Sequence, residues 1–237
     1  EFVSREIKWT SELEAHLVRG TELAVDPARV RSAMYRPFFR RWTYYSDVIT
    51  HRLYQQDSIF PVEGAWDNRA IVYTQPGSQK PFMASAVSSL PDLHFVGAAA
   101  GTECLPFWRY EAGERVDNIT DWALKQFTAH YKPPVRPEPV EGLEGVGGVA
   151  EASTGSARTV TGTAKGVGVG AAKPKKITKQ AIFHYCYAVL HDPVYREKYA
   201  QNLKRDFPRI PLYGTSPADF WQWAAWGEAL MALHIGY

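Results

Sequence analysis

The chain has 237 residues, of which 45% are hydrophobic and 22% are charged, which is typical of a globular protein that can bury a core. These proportions exclude collagen, a coiled coil and a wholly disordered tail, and no apolar run reaches the ~18 residues of a membrane span. The formal net charge is only +2, which by itself argues against a polyanionic partner such as nucleic acid.

The N-terminal part predicts short helices followed by strands. The sequence starts at Glu1 without an initiator Met or a signal-peptide core, so we expect a piece of a longer or processed protein. Ser11 and Glu14 match a capping box for a helix that ends before Gly20, and Asp26 begins a further helical turn. Short apolar runs between Pro, Gly and Asn then indicate strands. The predicted strands cover residues 42–45, 71–74, 82–87 and 93–96.

The middle of the chain has a different composition. Residues 132–176 contain no aromatic side chain, and half of the chain's 18 glycines lie between Gly142 and Gly170. Such a segment buries too little apolar surface to offset the entropy of ordering it. We therefore predict a disordered, flexible insert between two parts of one domain, residues 1–131 and 177–237.

The C-terminal part predicts three helices with clear boundaries. Thr178 caps the first helix, and Asp192 and Pro193 are the N-cap and first residue of the second. The apolar face of the second helix is Tyr195, Tyr199 and Leu203. Residues 207–211 are expected to be extended, because two prolines prevent a helix there.

The third helix begins at Ser216 and Pro217 and carries Trp221, Trp223 and Trp226, which we expect in the core. Taken together, these elements predict an α+β fold. It would consist of a twisted mixed sheet with packed helices, a C-terminal helical subdomain and one long disordered insert.

Recognisable catalytic and metal-binding motifs are absent from the sequence. It contains no P-loop, Cys-x-x-Cys, His-x-x-x-His or Gly-x-Ser-x-Gly pattern, so no metal site is expected. The glycines from Gly166 to Gly170 lie in the insert with no strand before them, which argues against a nucleotide site. A small enzyme using Cys104 or carboxylates is the least favoured interpretation, and two free cysteines, Cys104 and Cys186, fit a cytoplasmic protein. A binding domain is favoured.

The first positive signal is a basic, aromatic segment. Residues 29–54 hold six arginines and one acid, interleaved with seven aromatic residues. Arginine forks onto phosphates and guanine edges, so this segment indicates contact with DNA. The candidates for phosphate or base contacts are Arg36, Arg40, Arg41 and Arg52, with Tyr44 and Tyr54 stacking on or supporting them. The alternative is that these arginines pair with carboxylates and pack over aromatic rings.

A second basic segment covers residues 173–209, with nine bases and three acids. Its candidates for phosphate contacts are Lys198, Lys204, Arg205 and Arg209; the alternative is an ordinary solvated helix face. Because the two segments carry formal charges of +5 and +6, the remaining residues carry −9. The low net charge therefore hides a polarised chain and does not argue against DNA.

Several stretches resemble the specificity domain of Type ISP restriction–modification enzymes. Tyr35-Arg-Pro-Phe38, followed by Arg41-Trp42 and Tyr44-Tyr45, is similar to the opening of that family's target-recognition region. The run from Tyr185 to Ala200, then Leu203 to Pro211, resembles its C-terminal block, and the ending Leu233 to Tyr237 is similar too. Matching segments cover residues 4–110 and 177–237.

The resemblance implies a target-recognition domain of a longer polypeptide. Such a polypeptide carries a nuclease, a helicase-like translocase and an adenine-N6 methyltransferase, whose cofactors would be S-adenosylmethionine, ATP and Mg. This chain lacks their motifs, including Asn-Pro-Pro-Tyr, so it is expected to have no catalysis and no cofactor of its own. Its expected partners are double-stranded DNA and the upstream methyltransferase domain, with no membrane.

Two departures from the family pattern stand out. Phe39 occupies a position where the family usually has Asp, and the glycine-rich stretch resembles a translated intergenic repeat tolerated in a surface loop. The competing interpretation of the whole chain is a protein-interaction or structural platform within a large bacterial enzyme, without direct base reading.

Overall fold

The structure is a computed structural model that describes residues 9–51, 53–61, 67–132 and 175–237. The predicted disorder of the insert concerns residues that lie almost entirely outside these ranges. The two flanking parts, residues 1–132 and 177–237, form one compact unit. The division into an N-terminal part, an insert and a C-terminal part otherwise stays a prediction.

The N-terminal helix α1 spans Ser11–Val18. Its N-cap is Thr10, whose hydroxyl accepts a hydrogen bond from the Leu13 amide at 3.2 Å, so the predicted cap at Ser11 is wrong by one residue. The helix ends before Gly20, which has a φ of 67°, as the glycine there predicts. Asp26 caps a short 3-10 helix, Pro27–Arg29, as predicted.

Eight strands form three small sheets in the described ranges. The strands are β1 (Val30–Arg36), β2 (Phe39–Tyr44), β3 (Ala70–Thr74), β4 (Ala84–Val87), β5 (Leu90–Pro91), β6 (Thr102–Pro106), β7 (Trp108–Glu111) and β8 (Glu114–Asp117). Their orders are β2-β1-β5, β4-β3-β6 and β7-β8. Among the strands of the described residues, only β1 and β5 pair in parallel. The single mixed sheet that the sequence predicted is thus divided into three small sheets, of which the first is mixed.

One predicted strand is wrong. Residues 93–96 form turns, in which Phe95 is fully buried and its amide bonds the Asp92 carbonyl at 3.0 Å. Phe95 is buried without pairing as a strand, whereas Leu93 is 47% exposed, so this short apolar run does not by itself determine the backbone conformation.

Helix α2 spans Gln56–Ile59, and α3 (Asp121–His130) begins at an N-cap, Thr120, that the sequence reading missed. The C-terminal helices are α4 (Lys179–Val189), α5 (Pro193–Lys198), α6 (Ala200–Arg205) and α7 (Pro217–Ile235). The predicted caps at Thr178, Asp192 and Ser216 are confirmed. The second predicted helix is broken into α5 and α6 at Tyr199, where φ is −108° and ψ is 19°.

The core has two parts. The larger one packs α4 against α7, where the Tyr185 and Phe220 rings stack with centroids 5.5 Å apart. The smaller one lies between β1, β3 and β5 around Met34, Val72 and Leu90. Trp221 and Trp223 pack against the larger core as expected, but Trp226 is 54% exposed, so its expected burial is wrong. The predicted α+β class is confirmed.

Candidate nucleic-acid interface

The first basic segment folds into a hairpin of β1 and β2. Its turn contains Pro37 and Phe38, and Phe38 has a φ of 58°, which is uncommon for a bulky side chain. Met34 pairs with Arg40, and Ala33 pairs with Arg41. Because side chains alternate along a strand, Arg40 and Arg41 project from opposite faces of the hairpin.

On one face the arginines stack with aromatic rings. The guanidinium carbons of Arg36 and Arg41 lie 4.1 and 4.6 Å from the centroid of Tyr35, and Arg41 also lies 5.2 Å from that of Phe39. Such cation–π contacts hold a guanidinium plane in place while leaving its N–H donors available. This face therefore presents ordered arginines.

Arg36 and Arg41 differ in whether a carboxylate neutralises their charge. Arg36 forms an ion pair with Asp92 at 3.3 Å and also donates to the Tyr35 carbonyl at 2.6 Å. Arg41 has no carboxylate partner in the part of the chain that the structure describes. The alternative expectation, in which the arginines pair with acids and pack over rings, thus describes Arg36 in both respects and Arg41 in its ring contacts. Arg41 keeps a charge that another molecule can neutralise.

Arg40, on the opposite face, is engaged within the molecule. Its guanidinium donates to the Ile235 carbonyl at 2.6 Å and lies 5.0 Å from the centroid of the Tyr237 ring. A guanidinium has five N–H donors, so Arg40 retains further donors for a ligand.

The two candidate tyrosines have different surroundings. The Tyr44 hydroxyl accepts from the Asp26 amide at 3.0 Å and donates to the Ala24 carbonyl at 3.3 Å, so Tyr44 supports the base of the hairpin. Tyr54 is 66% exposed and has a φ of 49°. Arg52, two residues earlier, lies outside the described residues.

Two clefts flank Tyr54. The first, of about 370 Å³, is lined by both hairpin strands and includes Arg41 and Trp42; the second, of about 560 Å³, extends to Gln75 and Thr102. Sequence reasoning missed Gln75, because no local pattern marks a polar residue that tertiary folding brings to a cleft. Trp42, on the edge strand β2, is 77% exposed, and its place within the basic, aromatic segment was the available signal.

The loop that begins at Gln75, a lining residue of the second cleft, contacts the second basic segment. Just beyond Gln75, the Gly77 amide donates to the Lys204 carbonyl at 2.6 Å, which ties α6 to the loop after β3. Lys198, Lys204, Arg205 and Arg209 are all exposed. Lys204 and Arg205 also occupy the last turn of α6, where positive charge offsets the helix dipole. The structure places these four residues outside the hairpin.

The described residues contain no group of three or more His, Cys, Asp or Glu side chains that could hold a metal ion. Burial raises the pKa of the Cys104 thiol to about 12, so at neutral pH the thiol stays protonated and is a poor nucleophile. None of the helices in the described ranges is long and apolar enough to cross a membrane.

The described residues thus combine an α+β fold with a hairpin of stacked arginines beside two clefts. The family model of the Type ISP C-terminal specificity domain matches residues 2–237. The chain therefore belongs to the Type ISP C-terminal specificity domain family, as its motifs predict. A search of curated proteins returned no match.

Solved structures show the same fold. The chain is 36% identical to part of a cryoEM structure of a DrdV–DNA complex, with a TM-score of 0.73, over 99% of this chain and 18% of that chain. A nuclease-deletion mutant of the Type ISP enzyme LlaGI with a DNA substrate mimic gives 22% identity and a TM-score of 0.64, over 97% and 16%. The ATP-dependent Type ISP enzyme LlaBIII bound to DNA gives 20% and 0.68, over 98% and 12%. The chain thus spans less than a fifth of each of these chains.

Proposed function

We propose that this domain recognises a short sequence in double-stranded DNA. The observation that carries the proposal is the guanidinium of Arg41, which is stacked on Tyr35 and Phe39, lacks an acidic partner in the described ranges and lines a cleft. A fixed, unneutralised guanidinium suits a phosphate or a guanine edge. A relative of 36% identity occurs in a DNA complex, which supports the same role here.

The proposed contacts extend over both basic segments. Arg36, Arg40, Arg41 and Arg52 would contact DNA from the hairpin and its continuation, with Tyr54 stacking beside them and Tyr44 supporting the strands. Lys198, Lys204, Arg205 and Arg209 would contact phosphates farther along the duplex. The hydrogen bond between Gly77 and Lys204 supports this extent, because it connects the cleft wall to α6.

We further propose that the domain serves a longer cytoplasmic polypeptide as its specificity part. There it would position DNA for an upstream adenine-N6 methyltransferase and a nuclease–helicase. S-adenosylmethionine, ATP and Mg would belong to those upstream domains. The support is the family membership together with the small share of each related chain that this one spans.

The test measures affinity for random-sequence duplex DNA at several salt concentrations. Each phosphate contact contributes about 0.9 to the slope of log affinity against log salt, so Arg41→Gln should reduce that slope by about 1. Arg109→Gln is the matched control, because Arg109 is paired with Glu111 at 2.9 Å on β7. Affinity that does not depend on salt would contradict DNA recognition.

A specific observation favours the second candidate, a protein-interaction platform. Helix α1 buries none of its residues, and Leu17 and Val18 are 59% and 87% exposed. An apolar surface of this kind suits a protein partner. If this were the main role, Arg41→Gln would leave DNA affinity unchanged and Val18→Asp would abolish binding to the rest of the polypeptide.

A further inference from the structure

The tip of the hairpin contacts the end of α7. The Phe38 ring packs edge-to-face against Tyr237, with centroids 5.0 Å apart and planes at 84°, and against His234 with centroids 5.7 Å apart. The Tyr237 hydroxyl donates to the Met34 sulfur at 3.4 Å. Three hairpin residues, Met34, Phe38 and Arg40, thus contact residues about 200 positions later in the chain.

The hydrogen bond from Arg40 also satisfies a free carbonyl group at the end of α7. Ile235 is the last residue of α7, so its carbonyl has no partner within the helix. The Arg40 guanidinium donates to that carbonyl, and its positive charge complements the negative end of the helix dipole. This bond therefore stabilises the end of α7 and fixes the hairpin at the same time.

Phe38 shows that the tip is held by contacts from outside it. A φ of 58° is costly for a bulky side chain, and the conformation persists only where the surroundings fix it. Tyr237 and His234 supply those surroundings. Since Arg40 and Arg41 project from opposite faces, packing α7 against the Arg40 face leaves the Arg41 face open to a ligand.

We propose that Ile235 and Tyr237 form a clamp, which acts through Arg40 and Phe38 to hold Arg41 and Tyr35 in the orientation that contacts DNA. The proposal rests on the proposed function. Tyr237 and Ile235 are positioning residues, and Arg40 has a positioning role besides any contact of its remaining donors.

Tyr237→Ala tests the clamp without removing a charge. We expect faster hydrogen exchange of the backbone amides of residues 30–44, with the amides of β3 as an unchanged internal reference. We also expect the salt slope of binding to random duplex DNA to fall by about 1, because Arg41 loses its phosphate contact. A purely structural role of Tyr237 would not lower the slope of a folded, equally charged protein.

Three further variants sharpen the test. Tyr237→Phe keeps the ring and should retain the original slope and exchange rates. Leu233→Ala alters the same helix at a side chain that is 71% exposed and should change neither. The double variant Tyr237→Ala with Arg41→Gln should have the same slope as Arg41→Gln, because the two changes remove the same contact, that of Arg41 with a phosphate.

The outcomes separate the clamp from the proposed function. If Tyr237→Ala leaves hairpin exchange and the salt slope unchanged while the original chain binds DNA in a salt-dependent way, the clamp is wrong and the proposed function stands. If the original chain binds without salt dependence, the proposed function fails and the role of the clamp in DNA contact fails with it.

Discussion

Asn68 shows how one side chain organises the smaller sheets. It is only 2% exposed, and its amide nitrogen donates to the carbonyls of Ile59 and Trp108 at 2.8 and 2.9 Å. Its amide oxygen accepts from the backbone amides of Arg69 and Trp108 at 2.9 and 3.1 Å. Asn68 therefore joins the end of α2 to the starts of β3 and β7, and no sequence pattern indicates this role.

Asn68→Ala should destabilise the protein by about 3 kcal/mol. The substitution leaves several buried backbone groups without partners, and each such group costs about 1–3 kcal/mol. Urea unfolding measures the change. Asn118→Ala is the matched control, because the Asn118 side-chain amide makes one hydrogen bond within the described ranges, to the Pro106 carbonyl at 2.8 Å; we expect a loss of about 1 kcal/mol there. Equal losses in the two variants would contradict this account.

At the scale of elements, α4 and α7 approach each other closely at Gly227. A β-carbon at this position would lie 1.8 Å from the His184 carbonyl oxygen and 2.6 Å from its carbonyl carbon. The obstacle is backbone, so it cannot be relieved by a rotamer change. The absence of a side chain at Gly227 therefore allows the packing around Tyr185 and Phe220.

Gly227→Ala should destabilise the protein even though alanine favours helices. Glycine to alanine gains about 1 kcal/mol of helix propensity, whereas overpacking costs about 3 kcal/mol, so we expect a net loss of about 2 kcal/mol in chemical unfolding. Ala225→Gly, at an exposed position of α7, measures the propensity difference alone and should cost about 1 kcal/mol. A stabilised Gly227→Ala would show that the helices can separate freely.

The sequence predicted elements best where local chemistry decides them. The caps at Thr178, Asp192 and Ser216 were predictable, because a short polar side chain before a helix bonds the first free amides. Strands β6 to β8 were not predicted, since their conformation depends on pairing partners elsewhere in the chain. The same limit applies to the site: the arginines of the hairpin were visible, but the engagement of Arg40 by Ile235 was not.

At the scale of the whole molecule, the segments before and after the insert pack directly against each other. Lys179 bonds Asp117 and Asp121 at 2.6 and 2.7 Å, and the Tyr131 hydroxyl donates to that of Tyr185 at 3.1 Å. Asp121 begins α3 and Lys179 begins α4, while Tyr131 follows the end of α3. The two helices therefore run in the same direction, so the end of α3 and the start of α4 lie at opposite ends of α3.

Replacing residues 133–176 by a short flexible linker should leave the fold intact. A helix of ten residues is about 15 Å long at about 1.5 Å per residue, and a Gly/Ser linker of about ten residues has an r.m.s. span of about 17 Å. Because loop length changes closure entropy slowly, we expect a change in unfolding free energy within about 1 kcal/mol and the same salt slope for DNA binding. Joining Lys132 directly to Ile177 is the control, since the two residues left between Tyr131 and Thr178 reach only about 10 Å, too short to span α3, and should prevent α4 from docking. Loss of the cooperative unfolding transition with the Gly/Ser linker would mean that the insert is needed for the two segments to form one domain.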